Sequence, residues 1–238
     1  MTGLEATGLT YSYGPKRALE AVSFSVQTGA FCALLGPNGA GKSTLFNLLT
    51  RLFVAREGRI VVAGHDLRTS PRAALAELGI VFQQTTLDLD LTVQQNLSYF
   101  AALHGLAGRT ARSRIDAALD QLDMRERAGE KARALNGGHR RRTEIARALL
   151  HDPGVLLLDE PTVGLDAAAR ASITEYAHRL TDQGKTILWA THLTDEVRPD
   201  DDLIVLHRAK VLAQGKARDI AGEKTLQDRF LSMTGAQA

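Results

Sequence analysis

Residues Phe31-Cys32-Ala33-Leu34-Leu35-Gly36-Pro37-Asn38-Gly39-Ala40-Gly41-Lys42-Ser43-Thr44 decide the fold. Five apolar residues in a row, Phe31 to Leu35, read as a strand buried on both faces. The run after them fits G-x-x-x-x-G-K-[ST], and the pattern beyond it predicts a helix from Lys42 to Leu49. Strand, glycine loop and helix in that order make an anion cradle. Glycine lets the backbone curl so that successive N–H groups converge, and the helix N-terminus adds its partial positive charge. The nine residues Gly36 to Thr44 are therefore the candidate phosphate-binding loop. Within it, Lys42 is expected to reach the β- and γ-phosphates of a nucleotide and the Ser43 hydroxyl to meet Mg²⁺.

Outward from this loop, short strands dominate the first third. Val22–Val26 alternates like a half-buried strand closed by Gly29, and Arg59–Ala63 and Gly79–Phe82 read as two more. From Thr92 to about Leu122 the periodicity turns helical, with apolar Val93, Leu97, Phe100 and Leu103, then Ile115, Ala118, Leu119 and Leu122. Arg140–Leu150 is also helical. Val155–Leu158 is a buried strand, Asp166–Leu180 a helix and Thr186–Ala190 the next strand. Leu203–His207 and Lys210–Ala213 suggest a hairpin whose turn, Arg208–Ala209, lacks the expected Gly or Asn. Lys216 to about Thr234 is helical. Alternating strands and helices predict an α/β fold on a mostly parallel sheet, with ligands at the carboxyl ends of its strands.

The 238 residues are 44% hydrophobic and 24% charged, which suits a soluble globular chain and argues against disorder or a fibre. A net charge of +2 offers no basic field for nucleic acid. The single cysteine, Cys32, excludes an intrachain disulfide and sits in the apolar strand as a small buried hydrophobe. MTGLEATGLTYSY is not a signal peptide, and no apolar run approaches membrane-spanning length, so a membrane role is expected to come through a partner.

The strand Val155–Leu158 ends in two acids, Asp159 and Glu160. Neighbours on a strand point to opposite faces, so the two are expected to do different work. Asp159 would face Mg²⁺, directly or through water, and Glu160 at the strand exit would take the proton of an attacking water.

In order along the chain stand GPNGAGKST (36–44), VFQQ (81–84), LNGGH (135–139), LLLDEPTVGLD (156–166) and ATH (190–192). That order and spacing resembles the ABC ATPase family over about Leu4 to Gly235. The resemblance implies a P-loop NTPase core of residues 1–83 and 151–238. It adds an N-terminal antiparallel β subdomain and an inserted helical subdomain, 84–150, in one ABC ATPase domain spanning 1–238. It implies that ATP and Mg²⁺ are the cofactors. Tyr13 matches the aromatic that stacks on adenine, with Tyr11 as the competing position and a core tyrosine as the alternative. Gln83, or Gln84 beside it, matches the glutamine that contacts Mg²⁺ and the lytic water. His192 matches the histidine that bonds the γ-phosphate, and Asp166 an aspartate bridging two subunits.

Asn136, Gly137, Gly138 and His139 match the signature that closes over the ATP of a second, head-to-tail copy. In this family that segment is commonly LSGGQ, so Asn136 replaces Ser and His139 replaces Gln. Asn is a good helix N-cap and can still donate to phosphate. The His139 ring brings a titratable group whose pKa the partner's phosphates would raise. The neighbouring Arg140, Arg141 and Arg142, with Arg147, spread around a helix and are expected to be mostly solvated, with no nucleic-acid partner.

Two machines are compatible with these motifs. One is the ATP-binding subunit of a transporter, a homodimer in its ATP state that docks a separate multi-spanning permease at the cytoplasmic face of the inner membrane. The other is a soluble, non-transport ABC ATPase. DLDLTVQQNLSYFAALHG and TLQDRFLSMTG resemble the drug- and polysaccharide-exporting subgroup, and LNGGH resembles ATPases associated with quinoprotein alcohol oxidation. The chain stops short of the regulatory domain that many importer subunits carry, so export is expected.

Overall fold

A computed structural model describes residues 1–235. Two sheets organise it. Strands β1 (Thr2–Tyr13), β2 (Lys16–Gln27), β4 (Glu57–Val62) and β5 (His65–Asp66) form an antiparallel sheet in the order β2-β1-β4-β5. The second sheet has the order β10-β9-β3-β8-β7-β6. It is built from β3 (Phe31–Leu35), β6 (Leu78–Val81), β7 (Val155–Asp159), β8 (Thr186–Thr191), β9 (Asp202–His207) and β10 (Lys210–Lys216). All its neighbours run parallel except β10, which pairs antiparallel with β9 at one edge.

The run Phe31–Leu35 shows why an unbroken apolar strand belongs in the middle. Cys32 and Leu34 face one hydrophobic layer, shared with the antiparallel sheet and helix α1 (Lys42–Leu49). Phe31, Ala33 and Leu35 face the other, shared with α3 (Val93–Leu103), α4 (Gly108–Gln121), α5 (Gly137–Leu149) and α6 (Ala167–Asp182). Period-2 alternation thus serves two cores at once. Cys32 is buried as expected, and burial pushes its thiol pKa far above the usual range. The remaining helices are α2 (Pro71–Ala76), α7 (Ala217–Ala221) and α8 (Leu226–Thr234).

Several elements depart from the sequence expectation for local reasons. The helical stretch after Thr92 is two helices. It starts on a capping box, Thr92 with Gln95, and stops at Gly105, where φ is 73° and the N–H groups of Gly105 and Leu106 return to Ala102 and Ala101. The C-terminal helix is likewise divided, at Gly222. Helix α5 begins at Gly137 instead of Arg140, because Asn136 caps it. The Arg208–Ala209 turn forms without glycine, both residues being left-handed at φ 44° and 68°. Tertiary bonds hold it there: Ala209 N–H donates to Ala40 O at 3.2 Å, and Ala209 O accepts from Glu20 N–H at 2.8 Å.

Candidate functional site

The site lies at the carboxyl ends of β3, β7 and β8. Gly36 N–H donates to Thr191 O (3.2 Å) and Glu160 N–H to Ala190 O (3.0 Å), so three strand ends are tied together. Gly41, immediately before α1, has φ 115°, and an added Cβ would meet Ala18 O at 2.6 Å, so only glycine fits. The Lys42 side chain is buried and folded back. Its Nζ donates to Gly36 O at 2.6 Å and lies 3.1 Å from Glu160 Oε1.

Glu160 collects the other sequence-predicted groups. Gln83 Nε2 donates to Glu160 Oε2 at 3.1 Å, and His192 Nδ1 lies 3.5 Å from Oε1 without hydrogen-bond geometry. Three residues far apart in sequence (42, 83 and 192) therefore converge on the Glu160 carboxylate. Strand alternation does not put it there. Glu160 is outside β7, in a left-handed conformation with φ 46°, and that turn aims its side chain at the loop. Asp159, the last residue of β7, has different surroundings. It is buried, its Oδ1 has no hydrogen-bond partner, and burial followed by the charge of Glu160 raises its pKa to about 6. A buried, unpaired carboxylate oxygen suits a divalent cation.

Tyr13, Pro37, Asn38, Gly39, Ser43 and Thr44 line the same cleft as Lys42, Gln83 and Glu160. Tyr13 is 46% exposed and its hydroxyl sits 3.4 Å from Thr44 Oγ1, so it is no core tyrosine. Tyr11 instead stacks on Phe53 with centroids 5.4 Å apart and planes 5° apart, outside that cleft. Gln84 is exposed and is not among the residues lining the cleft.

The signature segment is elsewhere on the surface. Asn136 is the N-cap of α5, its Oδ1 accepting from His139 N–H at 2.8 Å. Asn136 and Gly137 are exposed, and Gly138 and His139 partly so. Asp166 caps α6, accepting from Ala169 N–H at 2.8 Å, and is exposed beside the signature. There an added Cβ on Gly138 would meet that of Ala169 at 3.3 Å. In the single chain the His139 pKa is lowered, by burial and then by Arg127 and Arg142. Any rise caused by a partner's phosphates therefore starts from a depressed value.

The arginine run is not solvated. Arg141 and Arg147 are buried, and Arg140 and Arg142 are partly so. Each is held by carbonyl or side-chain acceptors on neighbouring segments. Arg140 bonds Ala132 O and Arg133 O, and Arg142 bonds Leu122 O and Ser172. Helix circumference alone could not reveal this, because the acceptors lie on other elements.

The sequence reading also missed Glu196. Buried, it accepts from Trp189 Nε1 (3.0 Å), Thr191 Oγ1 (2.6 Å) and the Thr162 hydroxyl, tying the residue before His192 to the loop after Glu160. Lys16, Arg17 and Arg208 add positive charge to the cleft. Their only sequence signal was basic character near Tyr13 and in the hairpin turn.

Residues 19–163 match the family described as ABC transporter. The Nod factor export ATP-binding protein I of Ralstonia nicotianae is 39% identical over 91% of this chain and 68% of its own length. A daunorubicin resistance ATP-binding protein, DrrA3, of Streptomyces coeruleorubidus is 37% identical over 93% of this chain and 71% of its own length. Among solved structures, the ATP-binding subunit of an ABC transporter superposes with a TM-score of 0.85 at 27% identity, covering 97% of this chain and 98% of that one. A dimeric, post-hydrolysis ATP-binding cassette bound to ADP and Pi gives 0.79 at 28% identity, covering 90% and 98%.

Proposed function

This chain belongs to the ABC transporter family, and from that premise we propose that it is the ATP-binding subunit of an exporter. It binds ATP at the Gly36–Thr44 loop and hydrolyses it to drive transport through a separate membrane protein. The observation that carries this reading is the convergence of Lys42, Gln83 and His192 on Glu160 at the mouth of that loop.

The chemistry follows from these contacts. The loop N–H groups and the start of α1 take the phosphates, and Tyr13 gives adenine a stacking face. Incoming phosphates compete with Glu160 for the Lys42 ammonium, so nucleotide binding releases the carboxylate. Freed, Glu160 accepts the proton of a water attacking the γ-phosphorus, while Gln83 and His192 orient that water and the phosphoryl oxygens. The bond to the bridging oxygen breaks and ADP leaves. Ser43, Asp159 and Gln83 would hold Mg²⁺, which neutralises charge developing on the phosphates. A second copy supplies Asn136, Gly137, Gly138, His139 and Asp166 across a head-to-tail interface. Residues 84–150 form the helical subdomain that carries this signature.

Among the described residues no helix is long and apolar enough to cross a membrane. In this reading the transport partner is a multi-spanning permease, with this subunit peripheral at the cytoplasmic face of the inner membrane, as for the ATP-binding subunit of an exporter. Exporter-type relatives favour outward transport. Detergent pull-down should recover a multi-spanning protein, and charge reversal in the cleft bordered by Gln83 and residues 92–103 should release it while ATP binding persists. Recovery of soluble partners alone would instead favour a non-transport ATPase.

A further inference from the structure

The segment bearing Gln83 is fastened to the signature helix by a buried ionic cluster. Arg141 Nη1 donates to Phe82 O at 2.6 Å and to Glu144 Oε2 at 2.8 Å, while its Nη2 donates to Gln83 O at 2.9 Å. Glu144 Oε1 accepts from Thr86 N–H at 2.9 Å, and Arg147 Nη1 donates to Thr86 Oγ1 at 2.6 Å. Arg141, Glu144 and Arg147 are 7%, 1% and 6% exposed. The Arg147 guanidinium also lies 4.5 Å over the Phe100 ring.

This arrangement has a direction. Gln83 bonds Glu160 of its own site, whereas α5 begins at the Asn136 cap, which is exposed toward the outside. The guanidinium fork grips two successive carbonyls, at residues 82 and 83, and a carboxylate on its own helix. A planar fork fixes orientation as well as distance. Buried charges of this kind are held tightly only while every partner is present. Displacement of α5 by whatever binds its N-terminus must then carry the backbone of residues 82–86 along with it.

We propose that Arg141 and Glu144 are positioning residues that make the signature helix and the Gln83 segment one moving body. Movement of α5 as it closes over the partner's ATP thereby shifts Gln83 relative to Glu160, which Gln83 already bonds in the chain's own site. This rests on the roles given above to Gln83 and the signature. It assigns work to an arginine run that nucleotide binding alone leaves unexplained.

The test uses the full chain with Arg141→Lys, which keeps the charge and loses the fork, and Glu144→Gln, which keeps the shape should Arg141→Lys fold poorly. Two readouts are taken: steady-state ATP hydrolysis, and amide hydrogen exchange without and with Mg·ATP. The expected result is a fall in kcat of about tenfold with KM for ATP within about twofold. Exchange at residues 82–86 should rise about tenfold while that of 36–44 and of the α5 backbone stays as in the parent. Unchanged kcat and unchanged exchange at 82–86 would overturn the proposal. So would faster exchange throughout α5 with KM rising alongside, the pattern of ordinary structural loss. If the parent chain hydrolysed no ATP, the functional reading would fail. Nucleotide-free exchange at 82–86 would still decide whether the fork holds that segment.

Discussion

The loop around Lys42 and the signature around Asn136 are both glycine-rich runs opening a helix, yet they are satisfied in opposite ways. Lys42 is buried and engaged by Gly36 O and Glu160, with Gln83 and His192 close to the same carboxylate. The signature satisfies only its own first turn, through Asn136, and leaves Asn136 and Gly137 exposed beside an exposed Asp166. One half of the site is complete within the chain, and the other faces outward. In the function proposed above, a chain that carries both halves, turned different ways, takes a second copy to cover each nucleotide.

The largest effect expected from breaking the inward half is on chemistry. Glu160→Gln should lower turnover about 10²- to 10⁴-fold and leave ATP affinity in place, because the amide cannot take a proton. Single-turnover hydrolysis alongside nucleotide-binding titration checks this, and undiminished hydrolysis would remove Glu160 from the base role.

Next comes the adenine face. Tyr13→Ala should weaken ATP binding by about 1–3 kcal/mol, the range of aromatic–base stacking. Tyr11→Ala should do less to affinity and more to thermal stability, since that ring is packed on Phe53. Paired titrations and melting curves separate the two, and a larger affinity loss at Tyr11 would move the role.

The outward half can be sharpened through pH. His139 has a lowered pKa in the single chain, from burial and from Arg127 and Arg142. Phosphates of a partner's ATP would favour the protonated ring, so closure binds a proton and should tighten as pH falls through the ring's pKa in the closed dimer toward its lowered pKa in the single chain. Dimerisation constants at several pH values should show a change of a few-fold for the native chain and a flat line for His139→Gln. Superimposed profiles would make His139 a passive replacement for glutamine.

A smaller pH effect is expected where α3 meets the end of α5, away from both halves. The rings of His104 and His151 stack at 3.8 Å, and burial lowers the pKa of each below 6.5. The folded state favours the neutral rings, so their contribution is present above about 6.5 and is lost as pH falls, where the unfolded chain takes up protons first. His151→Gln should flatten the acid side of a melting-temperature profile as pH falls below the ordinary imidazole pKa of about 6.5. An unchanged slope would put the acid sensitivity elsewhere.

Much of the inward half was legible because its signals are local. A strand, a glycine loop and a helix follow one another in the chain, and acids at a strand end mark themselves. Lys42, Asp159 and Glu160 are legible that way, whereas Gln83 and His192 carry no such local signal and come only from the resemblance of VFQQ and ATH to the family's motifs. What escaped depended on contacts between distant segments. The left-handed backbone at Glu160 replaces the alternation rule that was applied to it. Glu196 belongs to no spacing pattern, yet it joins Thr162, Trp189 and Thr191. The arginines read as solvated because a helical wheel shows direction and not what stands opposite; Phe82 and Gln83 supply carbonyls from across the interface. The long helical pattern after Thr92 did not disclose its break at Gly105, where a single residue reverses the chain.

The direct test of a site divided between two copies is the mass of the Glu160→Gln chain by light scattering, with and without Mg·ATP. The account predicts a monomer that doubles in mass when ATP is added. With Gly138→Asp introduced as well, ATP should still bind and the chain should stay monomeric. A Glu160→Gln chain that remains monomeric at saturating ATP would contradict the division of the site, as would a dimer that survives Gly138→Asp.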